Sequence, residues 1–243
     1  MQILQSRLEH CRAYIKSYLH KPWAHQEAPH PCVTLSREEG SRGHAIADAL
    51  AAWLKENDRE ADADWTLFDR DLIAKVLEEH DLPKEFEKHM PEDQVSEWSS
   101  IIDDLLHRHP PHWDLFRITC RTVLRFAHIG HCIIVGRGGN ILTAHLPYSV
   151  HVRLIGTPSE RAEHVANTRG ISVDKAHREI KAEDKARARY IKSHFDENID
   201  NPLLYDLILN TDRIDDGTAA RIIGERVIAA RAVPKPLRPR IPA

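Results

Sequence analysis

The residues most suggestive of chemistry lie at positions 32–44, where an apolar run gives way to a loop of small and charged residues. The stretch reads Cys-Val-Thr-Leu-Ser-Arg-Glu-Glu-Gly-Ser-Arg-Gly-His. An amphipathic helix follows, because Ile46, Leu50 and Trp53 are spaced four and three residues apart. A strand that ends in such a turn directs backbone N–H groups at the start of the next helix, where the helix dipole favours an anion. The pattern predicts either a phosphate-binding loop or an ordinary strand-to-helix turn.

This loop departs from the phosphate-binding motif G-x-x-x-x-G-K-[ST]. Laid over that motif, Ser36 takes the place of the first glycine, Ser41 that of the second, and Arg42 that of the lysine. Arginine keeps the positive charge, but it is a bulkier, fork-shaped donor. The loop is therefore a degenerate version of a phosphate cradle.

Five short apolar runs alternate with helical segments and must position this loop. They are continuous, as expected for strands buried on both faces, and occupy residues 32–35, 65–68, 132–135, 150–155 and 207–209. The alternation predicts an α/β fold with a parallel sheet. Ligands bind beyond the C-terminal ends of such strands, so the loops after the first four runs should converge.

Two of these loops carry groups suited to a phosphate site. Residues 69–71 offer the carboxylates of Asp69 and Asp71. Residues 136–140 place Arg137 among glycines, which let a ligand approach the backbone. A guanidinium suits bidentate recognition of phosphate.

Two helices are predicted after the fourth run. Thr157 as N-cap, Pro158 at the first helical position and Glu160 in a capping box begin one of them. A long basic helix is predicted over about 172–194. On it, Asp184 and Arg187 are neighbours on one face, which indicates either a surface ion pair or an acid that holds the guanidinium ready for phosphate.

The two ends of the chain differ from its centre. Residues 2–20 form a predicted helix with a narrow apolar stripe at Leu4, Leu8, Cys11, Ile15 and Tyr18. Docking onto the chain's own domain is favoured over a coiled coil, and a homo-oligomer through this helix stays open. A Pro-rich linker completes residues 1–31, and a Pro-rich basic tail at 233–243 is predicted to be disordered.

Composition excludes several classes of protein. The chain has 243 residues, enough for one large α/β domain. A net charge of −3 gives no general attraction to nucleic acid or to an anionic membrane, so a phosphate-binding surface must be local. Charged residues interrupt the first 20 positions, and no apolar run could span a bilayer, so a cytoplasmic protein is expected. Four scattered cysteines without C-x-x-C spacing indicate reduced thiols in the core.

Taken in order, seven short motifs resemble the cytidylate kinase-like family, a branch of the P-loop nucleoside monophosphate (NMP) kinases. They lie at residues 34–43, 68–73, 134–138, 152–154, 160–161, 184–190 and 206–211. The resemblance implies a three-layer α/β fold of the P-loop NTPase type with a five-stranded parallel sheet. The domain is expected at 32–232, with a helical NMP-binding insert at about 70–130 and a lid region at about 157–200.

The resemblance also implies an activity. It is ATP-dependent phosphoryl transfer with Mg²⁺ to a nucleoside monophosphate, a (d)CMP-like acceptor, and the expected partners are these nucleotides. Two alternatives stay open: a catalytically silent nucleotide-binding or regulatory module, and a kinase of the same fold with a non-nucleotide acceptor.

Site residues are carried over by position as implications of the resemblance. The ATP phosphates are assigned to Ser36, Arg37, Gly40, Ser41, Arg42, Gly43 and His44. The acceptor is assigned to Asp69 and Arg137, and the lid to Arg161, Lys181, Lys185 and Arg187. The implied catalytic residues are Arg42, Asp69, Asp184 and Arg187. Val135 and Gly138 stand where cytidylate kinases carry acids, so the metal-side acid stays open among Glu38, Glu39, Asp69 and Asp71.

Overall fold

A computed structural model describes residues 2–19, 30–61, 63–69, 71–73, 114–136 and 138–232. Most of the expected NMP-binding insert lies outside the described residues. So do Arg137, most of the Pro-rich linker, and the tail at 233–243.

Helices and strands alternate along the described chain. In order they are α1 (Gln2–Leu19), β1 (Cys32–Arg37), α2 (Gly43–Asn57), β2 (Thr66–Phe68), α3 (Asp114–Ile129), β3 (Cys132–Val135), α4 (Gly139–Leu142), β4 (Ser149–Ile155), α5 (Pro158–Arg169), α6 (Val173–Phe195), β5 (Leu207–Asn210) and α7 (Asp216–Ala232). Each of the five predicted strands is confirmed to within two residues at either end.

The strands form one parallel sheet in the order β2-β3-β1-β4-β5. The predicted fold class is therefore confirmed. β1 and β3 are neighbours, but the chain leaves β1 toward β2 on one side and leaves β3 toward β4 on the other. A crevice opens at the C-terminal ends of two strands related in this way, and it is the usual ligand site of open α/β sheets.

The core fills both faces of the central strands. Val33 of β1 and its partner Ile133 of β3 are wholly buried on one face, and Ile134 of β3 is wholly buried on the other. This explains why their runs are continuously apolar and do not alternate. Helices α2 and α7 pack together closely because Gly224 leaves room for the Trp53 indole, which a Cβ at that position would approach to 2.2 Å.

Helix α1 packs on the edge strand β2. Its described apolar residues Leu8, Cys11, Tyr14 and Ile15 are buried in the main core. The Tyr14 hydroxyl donates a hydrogen bond of 2.6 Å to the carbonyl oxygen of Gly130. The burial of these residues agrees with docking on the chain's own domain, and a homo-oligomer through α1 stays a prediction.

The cysteines are buried free thiols, as predicted. Burial raises the pKa of Cys11 and that of Cys120 to about 12, so neither is a reactive thiolate at neutral pH. Among the helices that the structure describes, none has the length and apolar character needed to cross a membrane.

Helix α5 begins as predicted but is capped differently. Thr157 is the N-cap residue and Pro158 follows at the first helical position, yet the threonine side chain makes no capping hydrogen bond. The predicted capping box with Glu160 is therefore wrong. A residue distant in sequence takes the place of Glu160, because the Thr157 N–H donates to Asp212 Oδ2 at 2.7 Å.

Candidate active site

A cavity of about 310 Å³ lies at the C-terminal ends of β1 and β3 and is covered by α6. Its walls come from four places in the described chain: residues 34–37, residues 135–136 with 138–140, the inner face of α6, and Ile199. The side chains or backbone that line it include Ser36, Arg37, Gly136, Asn140, Arg187 and Tyr190. The cavity therefore occupies the crevice that the strand order predicts.

The loop after β1 delivers the start of α2 to this edge. Gly40 and Arg42 have positive φ angles of 84° and 56°, which turn the chain sharply into the helix. Ser41 is buried and donates its hydroxyl to the carbonyl oxygen of Glu38 at 2.8 Å. The N-cap residue Arg42 makes no side-chain capping hydrogen bond, so its own side chain does not take up the N–H groups in the first turn of α2. An anion such as a phosphate fits this end of the helix.

The other three predicted loops all contact this one. Glu38 Oε2 accepts a hydrogen bond of 3.0 Å from the N–H of Gly156, after β4. His44 Nε2 lies 3.5 Å from Asp69 Oδ2, after β2. The loops therefore converge in the folded structure, as predicted.

Arg37 links the loop after β1 with the loop after β3. Its aliphatic stem covers Gly43, where a Cβ would lie 3.0 Å from Arg37 Cγ. Its guanidinium lies against Gly136, where a Cβ would come within 2.1 Å of Nη1. Two positions without side chains thus let this cation reach across the cavity.

The side chain of Arg42 is not part of this cavity. Its Nη2 donates to the carbonyl oxygens of Thr211 and Ile214 at 2.6 and 2.7 Å. Its Nε is 2.9 Å from Asp216 Oδ1, at the start of α7. The side chain assigned to the lysine position of the motif therefore holds the turn between β5 and α7, and it does not line the cavity.

Arg161 joins the loop after β1 to α6 from a nearly buried position. Its Nε donates to the carbonyl oxygen of Gly156 at 2.9 Å, and its Nη1 donates to that of Glu39 at 2.8 Å. The same Nη1 lies 2.6 Å from Asp184 Oδ2, and Nε is 3.4 Å from Glu38 Oε2. This predicted lid residue positions the loop and the helix relative to each other.

Arg187 pairs with Asp184 at 3.3 Å, the contact suggested by their spacing. It also reaches Glu39, whose second carboxylate oxygen is held by Arg169. Burial alone would raise the pKa of Glu39, but the hydrogen bond and charge of Arg187, and then those of Arg169, outweigh it and lower that pKa. The other predicted lid residues, Lys181 and Lys185, are exposed on α6.

Asp69 is buried at the end of β2 and caps the helical turn at 71–73. Its Oδ1 accepts from the N–H groups of Asp71 and Leu72 at 3.0 and 2.9 Å. Burial alone would raise the pKa of Asp69, but the hydrogen bond from His44 and those from the backbone lower it. Its Oδ2 also lies 4.0 Å from Nη1 of Arg7, on α1.

Ser36 is held at the cavity wall by buried polar groups behind it. Arg153 Nη1 donates to its hydroxyl oxygen at 3.0 Å, and Nη2 of the same guanidinium contacts Asp200 at 3.0 Å. The Tyr205 hydroxyl lies 3.4 Å from Ser36 Oγ and donates to the carbonyl oxygen of Ile199 at 2.7 Å. These contacts fix one side of the site.

Arg169 and Arg7 are two of the site residues that no sequence motif predicted. Arg169 is the last residue of α5, and Arg7 lies on the docked helix α1. A basic residue near a helix C-terminus is common for electrostatic reasons, so Arg169 gave no signal. Arg7 is distant in sequence from every motif, and only the docking of α1 brings it to Asp69.

The residues present suit ATP with its accompanying Mg²⁺. The open start of α2 and the guanidinium of Arg37 fit a polyphosphate. Within the described parts of the chain, no group of three or more His, Cys, Asp or Glu side chains could hold a metal ion by itself. Mg²⁺ that arrives with a nucleotide needs only one or two carboxylates besides phosphates and water, and Asp69 with the exposed Asp71 can supply them.

Comparisons with known proteins identify the family of this chain and agree with its fold. The model of the cytidylate kinase-like family matches residues 32–213. No curated protein sequence gives a significant match. A crystal structure of an uncharacterized protein from Eubacterium ventriosum ATCC 27560 is similar to this chain with a TM-score of 0.65 and 18% identity, over 82% of this chain and 98% of that one.

Two further structures match with lower TM-scores. Shikimate kinase from Bacteroides thetaiotaomicron gives 0.41 at 14% identity, over 84% of this chain and 99% of that one. TT1252 from Thermus thermophilus gives 0.42 at 13% identity, over 83% and 98%.

The sheet order and the helix that starts at the crevice define an α/β fold of the P-loop type. The chain belongs to the cytidylate kinase-like family. Membership in this family indicates that the protein is a phosphotransferase of the nucleotide kinase type, a class that uses ATP and Mg²⁺.

Proposed function

We propose that this protein transfers the γ-phosphoryl group of ATP to a nucleoside monophosphate, with a (d)CMP-like acceptor. One observation carries the proposal: the open N-terminus of α2 and the cavity between β1 and β3 share the loop at residues 36–44. A donor polyphosphate at the helix and an acceptor in the cavity would meet across this loop.

ATP supplies an activated phosphoryl group, whose bond to ADP breaks as an acceptor oxygen forms the new bond to phosphorus. Such a reaction needs little covalent help from a protein and depends on positioning and on charge stabilisation. The first turn of α2 binds phosphate oxygens through N–H groups. Arg37, between the donor and acceptor loops, stabilises the charge on the transferring group.

The acceptor side of the cavity suits a flat, polar molecule. Tyr190 lines it and is stacked on His194, with ring centroids 4.1 Å apart, so its position is fixed. An aromatic ring held in this way offers a stacking surface for a base. Asn140 and Ser36 add polar groups to the wall, and Arg137 is the proposed partner of the acceptor phosphate.

Asp69 and Asp71 are proposed to hold the Mg²⁺ that accompanies ATP. Glu38 and Glu39, the other candidates, are engaged with arginines. Asp184 keeps Arg187 at the edge of the cavity and is proposed to belong to the lid.

The test is ADP formation from ATP·Mg²⁺ against a panel of nucleoside monophosphates. We expect turnover with CMP, dCMP or UMP, and loss of at least about 90% of kcat/KM in Arg37→Ala, since removal of one charge-stabilising donor costs tenfold or more. Arg137→Ala tests the acceptor assignment in the same assay. Arg189→Ala, on the exposed part of α6, is the matched control and should leave turnover unchanged.

A second candidate function is a silent nucleotide-binding module. It is favoured by Arg42, which stands at the lysine position of the motif and is committed to Thr211, Ile214 and Asp216. ATP binding without ADP formation, for any acceptor in the panel, would overturn the first candidate. It is the result expected of this module and also of a kinase of the same fold with a non-nucleotide acceptor.

A further inference from the structure

Two arginines from different helices converge on the carboxylate of Glu39. Arg169 Nη2 lies 2.5 Å from Oε1, and Arg187 Nη2 lies 2.5 Å from Oε2. Each carboxylate oxygen thus has its own guanidinium. Arginine side chains bind phosphate oxygens through the same kind of charge-assisted hydrogen bond.

The carboxylate of Glu39 can leave without disturbing the loop that carries it. The backbone of Glu39 is fixed independently, because its N–H donates to Asp184 Oδ1 at 2.7 Å and its carbonyl oxygen accepts from Arg161 Nη1 at 2.8 Å. Rotation of the side chain alone would free Nη2 of both arginines, while Nη1 of Arg169 stays on Glu179 at 2.9 Å and Nη1 of Arg187 stays on Asp184 at 3.3 Å.

The arginine pair is also accessible. The side chains of Arg169 and Arg187 are 44% and 23% exposed, whereas those of Arg153 and Arg161 are 7% exposed and serve the interior. Arg187 further lines the cavity. An anion that enters from solvent can therefore reach the pair.

We infer that Arg169 and Arg187 form a binding site for a ligand phosphate, and that the Glu39 carboxylate occupies this site in the ligand-free protein and is displaced on binding. Glu39 acts as an internal competitor, so it lowers the apparent affinity for the ligand in proportion to the time it spends in the site. The identity of the ligand as a phosphate compound rests on the proposed function.

In the alternative interpretation, Glu39 has a structural role and holds α5 and α6 in place for the ligand. The two interpretations predict opposite changes in ligand affinity when Glu39 is neutralised. If Glu39 is a competitor, its loss strengthens binding; if its role is structural, its loss weakens binding or leaves it unchanged.

The experiment measures the affinity of the full chain for inorganic tripolyphosphate and for CMP by titration calorimetry. Glu39→Gln keeps the shape of the side chain and removes its charge. We expect tighter binding by about tenfold, as for a site that is free about a tenth of the time. Glu39→Ala, which removes the whole competing group, should change affinity in the same direction. A gain with tripolyphosphate assigns the site to the donor, and a gain with CMP assigns it to the acceptor.

Arg169→Gln and Arg187→Gln should each weaken the same binding by about tenfold, the value of one charge-assisted contact. Glu225→Gln, which breaks the exposed pair of Arg221 and Glu225 on α7, is the control and should leave affinity unchanged. Weaker or unchanged binding in both Glu39 variants would overturn the inference, as would the absence of binding in every form.

These measurements need no turnover, so the inference and the proposed function fail separately. Enhanced binding by Glu39→Gln in a protein that forms no ADP would leave the inference standing and overturn the proposed activity. Turnover with nucleotides, together with unaltered binding in the Glu39 variants, would do the reverse.

Discussion

Arg161 connects three parts of the site through a single buried guanidinium. It contacts the carbonyl oxygens of Gly156 and Glu39 and the carboxylate of Asp184, while only 7% of its side chain is exposed. A charge in such a place must be paired, because burial without partners is costly. Its partners define the angle between the loop after β1 and the helix α6.

Removal of this guanidinium should destabilise the whole domain. We expect Arg161→Ala to lower the free energy of unfolding by about 3 kcal/mol, since Asp184 Oδ2 and the carbonyl oxygens of Gly156 and Glu39 lose this donor. Urea unfolding measures the effect. The control is Arg189→Ala, which removes an exposed arginine on α6 and should change stability by less than about 0.5 kcal/mol. Equal effects in the two variants would contradict the structural role of Arg161.

Gly136 offers a second prediction at this scale. Its φ angle is +88°, and a Cβ would lie 2.1 Å from Nη1 of Arg37. Gly170 has a φ angle of +65°, and a Cβ there would meet no atom within 4 Å, so the position carries backbone strain alone. Gly170→Ala should cost about 1 kcal/mol in unfolding free energy.

Gly136→Ala should cost more than Gly170→Ala, and it alone should reduce activity, because it pushes the Arg37 guanidinium out of place. Thermal unfolding and the ADP assay on both variants check this. Full activity in Gly136→Ala would show that the position of Arg37 is unimportant.

At the scale of elements, α1 is the part of the chain that lies before the family match and still belongs to the core. Its buried side chains pack on β2 and α3, and the Tyr14 ring stands edge-on to Phe68 and Phe126 at 5.3 and 5.9 Å. Among the described residues, β2 is an edge strand of the sheet, and the helix packs on it. It also carries Arg7 toward Asp69.

A cavity under α1 should therefore weaken the domain. Ile15→Ala is expected to lower the free energy of unfolding by about 2–4 kcal/mol, as for other buried aliphatic truncations. Glu9→Ala, at an exposed position of the same helix, should have little effect. Chemical denaturation at two protein concentrations provides the measurement; a loss that depends on concentration would mean that the stripe serves self-association.

At the scale of the whole molecule, two ionised carboxylates of the site contribute to the stability of the folded protein. Glu39 and Asp69 both have lowered pKa values in the folded protein, in spite of burial, because arginines or hydrogen-bond donors surround them. The unfolded chain then binds more protons than the folded one in acid. Both groups contribute stability above their ordinary pKa values, and that contribution is lost as the pH falls through the folded pKa.

Asp69→Asn should accordingly flatten the dependence of stability on pH below about pH 5, the region in which a carboxylate of this kind titrates. The variant should be less stable than the parent near neutral pH and approach it in acid. Unfolding free energies from about pH 3 to 7 provide the comparison. Asp64→Asn, at an exposed position before β2, is the control and should leave the slope unaltered.

Local sequence was enough to predict the fold class, the strands and the loops that meet at the site. Strands buried on both faces must be continuously apolar, and the helices between them must keep one apolar face, so both patterns are visible in short stretches of the chain. The loop at 36–44 was visible for the same reason, because small residues and a helix start are local features.

The partners of the charged side chains, in contrast, depend on the tertiary structure. Arginine has a long stem and reaches whichever acceptor the fold places nearby, so Arg42 lies on the turn before α7 while Arg37 lines the cavity. The Thr157 N–H donates to Asp212, which no local pattern predicts, and the expected capping box did not form. Arg7 and Arg169 join the site from helices whose sequences carry no motif, since the contacts that bring them there span much of the chain.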